Sequence, residues 1–301
     1  MPLAPGRNLG APAVVQQGVQ SPRPFRGRQA RDAGLVTRGV LAGPTTRRLF
    51  PDVHVAVEAP DDLRTRAIAA SLLVPGAVVG GHAAAELLDA SCGPVDAAVD
   101  LIVGRHRTRS RPGLRVRQDV LGDDEVVEVD GVRVTTARRT AFDLACRLEH
   151  VEAVVAVDAL ARVGRFAAEE LLALRPGARG TRRLPRVVAA VDPRAESPPE
   201  TRTRLALVAQ GVPLPDLQVE VFDAHGIFAG RVDMGWRRAR VGVEYQGDHH
   251  RTDMVQWRRD QARLADLAAA GWLIIPATAR TLRRPDVLAE QVMGALADRS
   301  R

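Results

Sequence analysis

The chain has 301 residues, of which 46% are hydrophobic and 26% charged, so it can bury a core and is not disordered throughout. It contains no run of about 20 apolar residues, which excludes a typical membrane-spanning helix. Its two cysteines exclude both a disulfide framework and a zinc site built from several cysteines, so we expect a cytoplasmic protein that does not enter the membrane.

Positive charge is concentrated near the start of the chain. All 43 cationic residues are arginine, and residues 1–50 hold eight of them against a single acid, Asp32. Such a cluster attracts a polyanion. A genome rich in G and C favours arginine codons, but this explains the number of arginines and not their clustering. The oligomeric state does not follow from the sequence.

The first ninety residues predict a basic arm followed by a small DNA-binding module. Residues 1–33 lack hydrophobic periodicity and are predicted to be a disordered arm. Over residues 34–90, two short apolar-periodic segments precede a β element, which is the order of a winged helix-turn-helix. Arg47 and Arg48 then fall on the DNA-contacting helix. An ordinary helical hairpin with solvated arginines is the alternative.

An α/β middle segment with a linker is predicted over residues 91–196. Apolar periodicity between residues 61 and 190 predicts helices at 63–73, 81–90, 137–148, 151–163 and 166–175, and strands at 97–104, 114–120 and 131–136. Residues 192–200 are rich in proline and charge, and they form the clearest predicted domain boundary.

The last hundred residues, 197–301, predict an α-β-β-β-α-β-α order. The predicted elements are a helix at 198–210, strands near 217–223, 227–236 and 241–246, a helix at about 254–270, a strand at 271–277 and a helix near 285–298. This length suits one domain, and the fold class of the whole chain is therefore α/β.

A predicted hairpin carries the candidate chemistry. If residues 237–240 form a four-residue loop, Asp233 and Glu244 become cross-strand neighbours with Cβ atoms about 4.5–5.5 Å apart. Side chains alternate across a strand, which separates an apolar face from a polar one. The apolar face comprises Val232, Met234, Trp236, Val241, Val243 and Tyr245; the polar face comprises Arg231, Asp233, Gly235, Gly242, Glu244 and Gln246.

Two carboxylates that lie this close repel each other when both are ionised. A divalent cation between them removes the repulsion, and Mg²⁺ commonly binds one or two carboxylates together with water and phosphate oxygens. Gly235 and Gly242 beside them leave room for a phosphate backbone. A solvated polar face with a register shifted by two residues is the alternative. The hairpin by itself leaves both interpretations open: Asp233 and Glu244 bind Mg²⁺ or Mn²⁺, or they belong to a solvated face.

Four segments follow one another in a characteristic order: SPPETRTRL, FAGRVDMGW, VGVEYQGDHHRTDMVQWRRDQARLADLAAAGW and LIIPAT. Together they resemble the PD-(D/E)XK nuclease superfamily. More narrowly, they resemble actinobacterial proteins whose C-terminal domain is similar to very-short-patch-repair endonucleases. This resemblance implies a restriction-endonuclease-like fold that hydrolyses DNA with a divalent metal, and it implies that Asp233 and Glu244 are the metal ligands.

The same resemblance implies roles for three more residues. Glu200 would hold water or the metal from the third side, although Ser197 and Glu200 also fit a capping box that needs no catalysis. Gln246 stands where many members of the superfamily have lysine, and a neutral amide can only donate and accept hydrogen bonds. His250 would donate a proton or contact phosphate, and its alternative is a polar turn.

The front half carries a second resemblance. GLVTRGVLAGPTTRRLFPDVHVA and VVGGHAAAELLDA resemble the winged-helix region of AbiEi-type antitoxins, and VTTARRTAFDLACRL matches a segment common in that architecture. This likeness implies DNA binding by the N-terminal region.

The predicted function is a metal-dependent DNA endonuclease. The first alternative is a DNA-binding transcriptional regulator of antitoxin type whose nuclease-like domain is catalytically silent. A phosphodiesterase that acts on RNA or on a nucleotide is the second alternative.

Overall fold

A computed structural model of the chain describes residues 22–104, 108–247 and 254–299. The chain divides into two compact units between Thr140 and Ala141. Each unit combines helices with β-sheet, which confirms the predicted α/β class. Among the described residues, no helix is both long and apolar enough to cross a membrane.

The first unit contains short helices and two sheets. Its helices are α1 (Gly27–Asp32), α2 (Arg38–Ala42), α3 (Leu63–Leu73) and α4 (Gly81–Leu87). Its strands are β1 (Phe25–Arg26), β2 (Thr46–Phe50), β3 (Val53–Ala56), β4 (Val78–Gly80), β5 (Val99–Val103), β6 (Leu114–Gln118), β7 (Val126–Val129) and β8 (Val132–Thr135). One sheet has the order β1-β3-β2, and the other has the order β6-β5-β4-β8-β7.

Local sequence signals explain the main elements of this unit. α3 begins at its N-cap Asp62, whose carboxylate accepts a hydrogen bond from the Thr65 backbone N–H at 2.7 Å. The bounds of α3 agree with the predicted helix, and α4 confirms the next one. β5 is buried along its whole length, as its mostly apolar sequence predicts, and the burial includes Asp100. β6 and β8 confirm the two alternating strands.

The N-terminal predictions need correction. β1 and α1 lie inside the stretch predicted to be a disordered arm, of which residues 1–21 lie outside the described part. The segment with Arg47 and Arg48 is strand β2, not a helix. Both ends of this strand are buried, Arg48 in its middle is exposed, and the strand pairs with β3. The arginines therefore lie on a hairpin.

The second unit follows the predicted element order. Its helices are α6 (His150–Gly164), α7 (Leu184–Val188), α8 (Pro198–Ala209), α9 (Met254–Ala269) and α10 (Pro285–Arg299), and α5 (Ala137–Ala145) spans the division between the units. Its strands are β9 (Asp216–Phe222), β10 (Phe228–Trp236), β11 (Val241–Tyr245) and β12 (Leu273–Ala277). The predicted helix at 166–175 is instead a 3-10 helix, Ala168–Ala173.

One sheet with the order β12-β11-β10-β9 organises the second unit. Neighbouring strands are antiparallel except for β11 and β12, which are parallel because α9 connects them. One buried cluster contains Met234 and Val243 with Leu207 of α8 and Leu288 of α10. A second cluster packs residues of β9 and β10 against Leu267 of α9. Helices therefore cover both faces of the sheet.

The predicted boundary at 192–200 differs from the observed division. That segment lies within the second unit, where α6 and α8 are joined by a buried polar network. Asp158 of α6 accepts hydrogen bonds from Thr201 at 2.8 Å and from Arg204 at 2.9 Å. The Asp192 backbone N–H also donates to Asp158, at 2.8 Å. These contacts fix the proline-rich segment to the helices on both sides of it.

Candidate active site

A pocket of about 1130 Å³ opens in the second unit beside β10, β11 and α9. Three residues predicted from the sequence line it: Asp233, Glu244 and Gln246. The described residues that line the pocket also include further charged side chains: Glu220, Arg231, Asp260, Arg263, Arg280 and Arg283. The pocket is thus strongly charged with both signs.

The register of the hairpin confirms the sequence prediction. Met234 pairs with Val243, and Trp236 pairs with Val241, as a four-residue loop requires. Extending this register by one residue brings Asp233 and Glu244 together at the end of the ladder. Both side chains reach the same pocket.

The predicted separation into two faces is wrong at Val232. This residue packs with Val219 and Leu267, whereas Met234 belongs to the opposite cluster with Leu217. The alternation of faces is therefore broken between the pairs Val232–Val219 and Met234–Leu217, in both strands.

Gln218 and Asp233 lie at this break. Gln218 has a φ of 51°, in the left-handed region that non-glycine residues rarely adopt. Its side-chain amide donates a hydrogen bond to Glu200 at 2.8 Å. Backbone strain of this kind is often found where a site is assembled, and here it places polar side chains where alternation predicts a regular strand.

Asp233 is a half-buried acid among other acids. Its carboxylate accepts a hydrogen bond from the Tyr245 backbone N–H at 2.9 Å. Burial, followed by the negative charges of Glu200 and Glu244, raises the pKa of Asp233 to about 7, against the opposing influence of the Tyr245 hydrogen bond and the Arg263 charge. The combined effect of burial and neighbouring charges therefore favours the neutral form of Asp233.

Glu244 is bound by an arginine from α9. Both terminal nitrogens of Arg263 donate to the carboxylate of Glu244, one to each oxygen, the second at 2.9 Å. The Glu244 side chain is 6% exposed and that of Arg263 is 36% exposed. The hydrogen bond to Glu244 is the main cause that raises the pKa of Arg263. The guanidinium thus neutralises Glu244 while remaining accessible to solvent.

Glu200 has the capping geometry that was weighed against a catalytic role. Ser197 is the N-cap of α8, and its hydroxyl accepts a hydrogen bond from the Glu200 backbone N–H at 3.4 Å and donates to the Glu200 carboxylate at 2.7 Å. The Glu196 backbone N–H donates to the same carboxylate at 2.9 Å. Glu200 is buried and is not among the described residues that line the pocket, yet its charge acts on Asp233.

The remaining predicted site residues have different outcomes. Gln246 is exposed in the pocket, and its backbone N–H donates to the Ala277 carbonyl at 2.7 Å, which joins it to the end of β12. His250 lies outside the described residues.

Arg47 and Arg48 occupy different environments on β2. The guanidinium of Arg47 donates to the carbonyl oxygens of Ala59 and Pro60 at 3.0 and 2.9 Å, and it lies 3.4 Å from Asp61. Arg47 therefore holds the loop after β3. Arg48 is exposed.

The carboxylates suit a hard divalent cation by their chemistry. Asp233 and Glu244 supply oxygen ligands to one pocket, and the raised pKa of Asp233 marks a place where added positive charge is favourable. Within the described ranges, no group of three or more His, Cys, Asp or Glu side chains is arranged to hold a metal ion. A cation held by two carboxylates and water is consistent with both observations, provided that Arg263 releases Glu244.

Two important contacts were missed by sequence reasoning. The three-residue spacing of Asp260 and Arg263 on a helix predicts an ion pair between these two residues, not a contact between Arg263 and the sheet. The contact of Arg263 with Glu244 depends on how α9 packs on the sheet. Gln218 gave no signal, since glutamine in a strand does not predict a left-handed backbone.

Comparison with known proteins identifies relatives of this chain. The uncharacterized protein MT2308 of Mycobacterium tuberculosis (strain CDC 1551 / Oshkosh) is 32% identical over 232 residues, which cover 74% of this chain and 84% of that protein. The uncharacterized protein Rv2248 of Mycobacterium tuberculosis (strain ATCC 25618 / H37Rv) has the same identity and coverage. The chain belongs to the family of these mycobacterial proteins.

Residues 82–189 of this family member match the family described as AbiEi antitoxin C-terminal domain. This match confirms the AbiEi-like part of the resemblance. It extends from α4 to the end of α7, so it begins within the predicted winged-helix module and leaves most of that module outside. The likeness of residues 197–301 to very-short-patch-repair endonucleases remains a prediction.

Proposed function

We propose that this protein is a divalent-metal-dependent endonuclease that hydrolyses phosphodiester bonds in DNA. The observation that supports the proposal is the meeting of Asp233 and Glu244 in one charged pocket, where burial and neighbouring acids raise the pKa of Asp233 to about 7. Arg263 neutralises Glu244, whereas burial and the neighbouring charges together disfavour the ionised form of Asp233, so a bound cation would stabilise the two carboxylates.

The predicted site residues have separate roles in the proposed reaction. Asp233 and Glu244 would hold Mg²⁺ or Mn²⁺, which when bound lowers the pKa of a coordinated water and stabilises charge on phosphate. Gln246, exposed beside them, would hydrogen-bond the attacking water or the phosphate. Glu200 would act on the site through its charge and by holding Gln218, since its carboxylate already accepts several hydrogen bonds.

Arg263 supplies a cation at a site that lacks the usual lysine. Its guanidinium is partly exposed in the pocket, and its planar set of N–H donors matches the oxygens of a phosphate as well as those of a carboxylate. In the proposed reaction Arg263 leaves Glu244 and binds the phosphate of the DNA.

DNA binding by the first unit would add affinity without sequence preference. Exposed Arg48 on the β2–β3 hairpin is the candidate contact, and its attraction to phosphate would weaken as salt increases. Arg47 is less suited to this role, because its guanidinium is held by the loop after β3.

Incubation of supercoiled plasmid DNA with the full chain and Mg²⁺ or Mn²⁺ tests the proposal. We expect nicking by the wild type and loss of at least about a hundredfold in rate for Glu244→Ala. Glu220→Ala is the matched control, because Glu220 is an exposed acid that lines the same pocket and has no proposed part in the reaction. Equal nicking by wild type and Glu244→Ala, or none by either, would contradict the proposal.

A second candidate function is a DNA-binding regulator with a silent nuclease-like domain. The match of residues 82–189 to an antitoxin domain favours it, as does the occupation of both Glu244 oxygens by Arg263. DNA retention in a gel without nicking under any divalent metal would support this regulator over the nuclease.

A further inference from the structure

Two arginines on one edge of the pocket differ from its other cations. Arg231 is paired with Glu196 at 2.7 Å, and Arg263 is paired with Glu244. Arg280 and Arg283 also line the pocket and are exposed, but neither side chain makes an ion pair or hydrogen bond with another described residue.

The turn that carries these two arginines is held in place by its own hydrogen bonds. The Thr278 backbone N–H donates to the Thr281 hydroxyl at 2.7 Å, and the Thr281 backbone N–H donates to the Thr278 hydroxyl at 3.2 Å. The Arg283 backbone N–H donates to the Arg280 carbonyl at 3.2 Å within the same turn. This ordered turn follows directly after β12 and holds both arginines at the pocket.

The next residue along the chain provides an internal comparison. Arg284 is exposed like its neighbours, but its guanidinium is bound to Asp286 at 3.1 Å, and it is not among the described residues that line the pocket. The chain therefore places a neutralised arginine away from the pocket and two arginines without acidic partners beside it.

We propose that Arg280 and Arg283 bind two phosphates of the DNA backbone as the strand enters the pocket. Arginine binds phosphate through several N–H donors at once, and an exposed arginine without an acidic partner can make this contact without first breaking an ion pair. The inference rests on the proposed function, because it assigns DNA to the same pocket. It adds an interaction surface that is separate from the metal-binding carboxylates.

Salt dependence of DNA binding measures these contacts. Anisotropy of a fluorescently labelled DNA duplex is recorded with the full chain at increasing KCl, in the presence of a chelator so that no cleavage occurs. Each phosphate contact contributes about 0.9 to the slope of log affinity against log salt, so Arg280→Ala/Arg283→Ala should lower the slope by about 1.8. Arg284→Ala should leave the slope unchanged.

A charge-conserving variant separates phosphate binding from a structural role. Arg280→Lys/Arg283→Lys should keep the wild-type slope, because lysine also pairs with phosphate as a point charge. An unchanged slope in the alanine double variant would overturn the inference. So would an equal fall in the alanine and lysine variants, since that result would indicate a change in the turn. Thermal unfolding of each variant checks that the fold is kept.

The outcome can be separated from that of the nuclease proposal. The expected fall in slope without metal-dependent nicking would support phosphate binding by Arg280 and Arg283 and contradict the proposed nuclease activity. Nicking that depends on Glu244, together with an unchanged slope in the alanine double variant, would support the nuclease activity and contradict phosphate binding by Arg280 and Arg283.

Discussion

Two arginine–carboxylate pairs of the second unit use the same chemistry in different surroundings. Arg204 and Asp158 join α8 to α6, and their side chains are 4% and 2% exposed. Arg263 and Glu244 join α9 to β11, and there the Glu244 side chain is 6% exposed and the Arg263 side chain 36% exposed. The difference between the pairs lies in the arginine, which is enclosed by protein in one and open to a pocket in the other.

The enclosed pair shows how burial destabilises the ionised form of a carboxylate. Burial is the main cause that raises the pKa of Asp158 to about 6, although Arg204, Thr201 and the Asp192 backbone all favour its ionised form. Such a pair specifies how helices meet and contributes little net stability. The open pair can exchange one partner for another, because solvent and ligands reach the guanidinium. Exposure of the cation thus distinguishes a structural ion pair from a candidate site.

The largest expected effect comes from breaking the enclosed pair. Arg204→Met leaves the Asp158 carboxylate buried without its cation, and we expect the free energy of unfolding to fall by about 3–5 kcal/mol in urea titrations. Arg202→Met is the control on the same helix, because Arg202 pairs with Glu152 at a partly exposed position and should cost less than about 1 kcal/mol. Equal losses in the two variants would show that enclosure does not matter.

The enclosed pair should also give stability a particular dependence on pH. The pKa of Asp158 is about 6 in the folded chain, above its ordinary value of 3.8, so the folded chain binds this proton more tightly than the unfolded chain. The contribution of the bound proton to the free energy of unfolding is therefore present below pH 4 and is lost as the pH rises through 6. Between these two pH values the free energy of unfolding of the wild type should fall by about 3 kcal/mol relative to that of Asp158→Asn, which cannot ionise. Urea unfolding of both proteins at several pH values measures this difference. Parallel curves would contradict the raised pKa.

Removal of Arg263 from the open pair should increase the affinity of the pocket for a divalent metal ion. Arg263→Gln frees both oxygens of Glu244, and we expect Mn²⁺ to bind about tenfold more tightly, or by about 1.4 kcal/mol, in isothermal titration calorimetry. Arg231→Gln removes another arginine of the same pocket, one that is paired with Glu196, and should have a smaller effect. Affinity that is unchanged or weaker in Arg263→Gln would show that Arg263 does not compete with a metal.

The smallest expected effect comes from removing the N-cap of α8, and it tests whether Glu200 serves the cap alone or also metal binding. Ser197→Ala removes the N-cap of α8 and should lower the free energy of unfolding by about 1 kcal/mol. Mn²⁺ affinity should change by less than about twofold, because Ser197 is not among the described residues that line the pocket. A large loss of affinity in the same titration would mean that the cap orients Glu200 for metal binding.

The sequence predicted the second unit well because its signals are local. The helix at 198–210 agrees with α8, and the strands near 217–223 and 227–236 agree with β9 and β10 to within one residue at each end. The four-residue loop and the alternation of apolar residues next to it, at Met234, Trp236, Val241 and Val243, were enough to set the hairpin register. Periodicity of 2 or 3.6 residues is a property of the element itself, although the folded sheet interrupts it beside Val232.

The secondary structure at the start of the first unit was harder to predict from the sequence, because its elements are short. β1 and α1 contain two and six residues, too few for any periodicity to show. The segment with Arg47 and Arg48 has apolar spacing compatible with either a short helix or a strand, and pairing with β3 decides for the strand. Neighbouring strands determine such a segment, and the sequence alone does not identify the neighbour.

By itself the sequence determined which acids meet on the hairpin, because strand alternation and loop length leave one register that buries the apolar side chains. It did not determine what faces those acids. Tertiary packing brought Arg263 to Glu244 from a helix 19 residues away, placed Gln218 in a left-handed backbone beside Asp233, and held Arg280 and Arg283 at the pocket. These contacts join separate elements, and they form only when helix and sheet bury their apolar faces together.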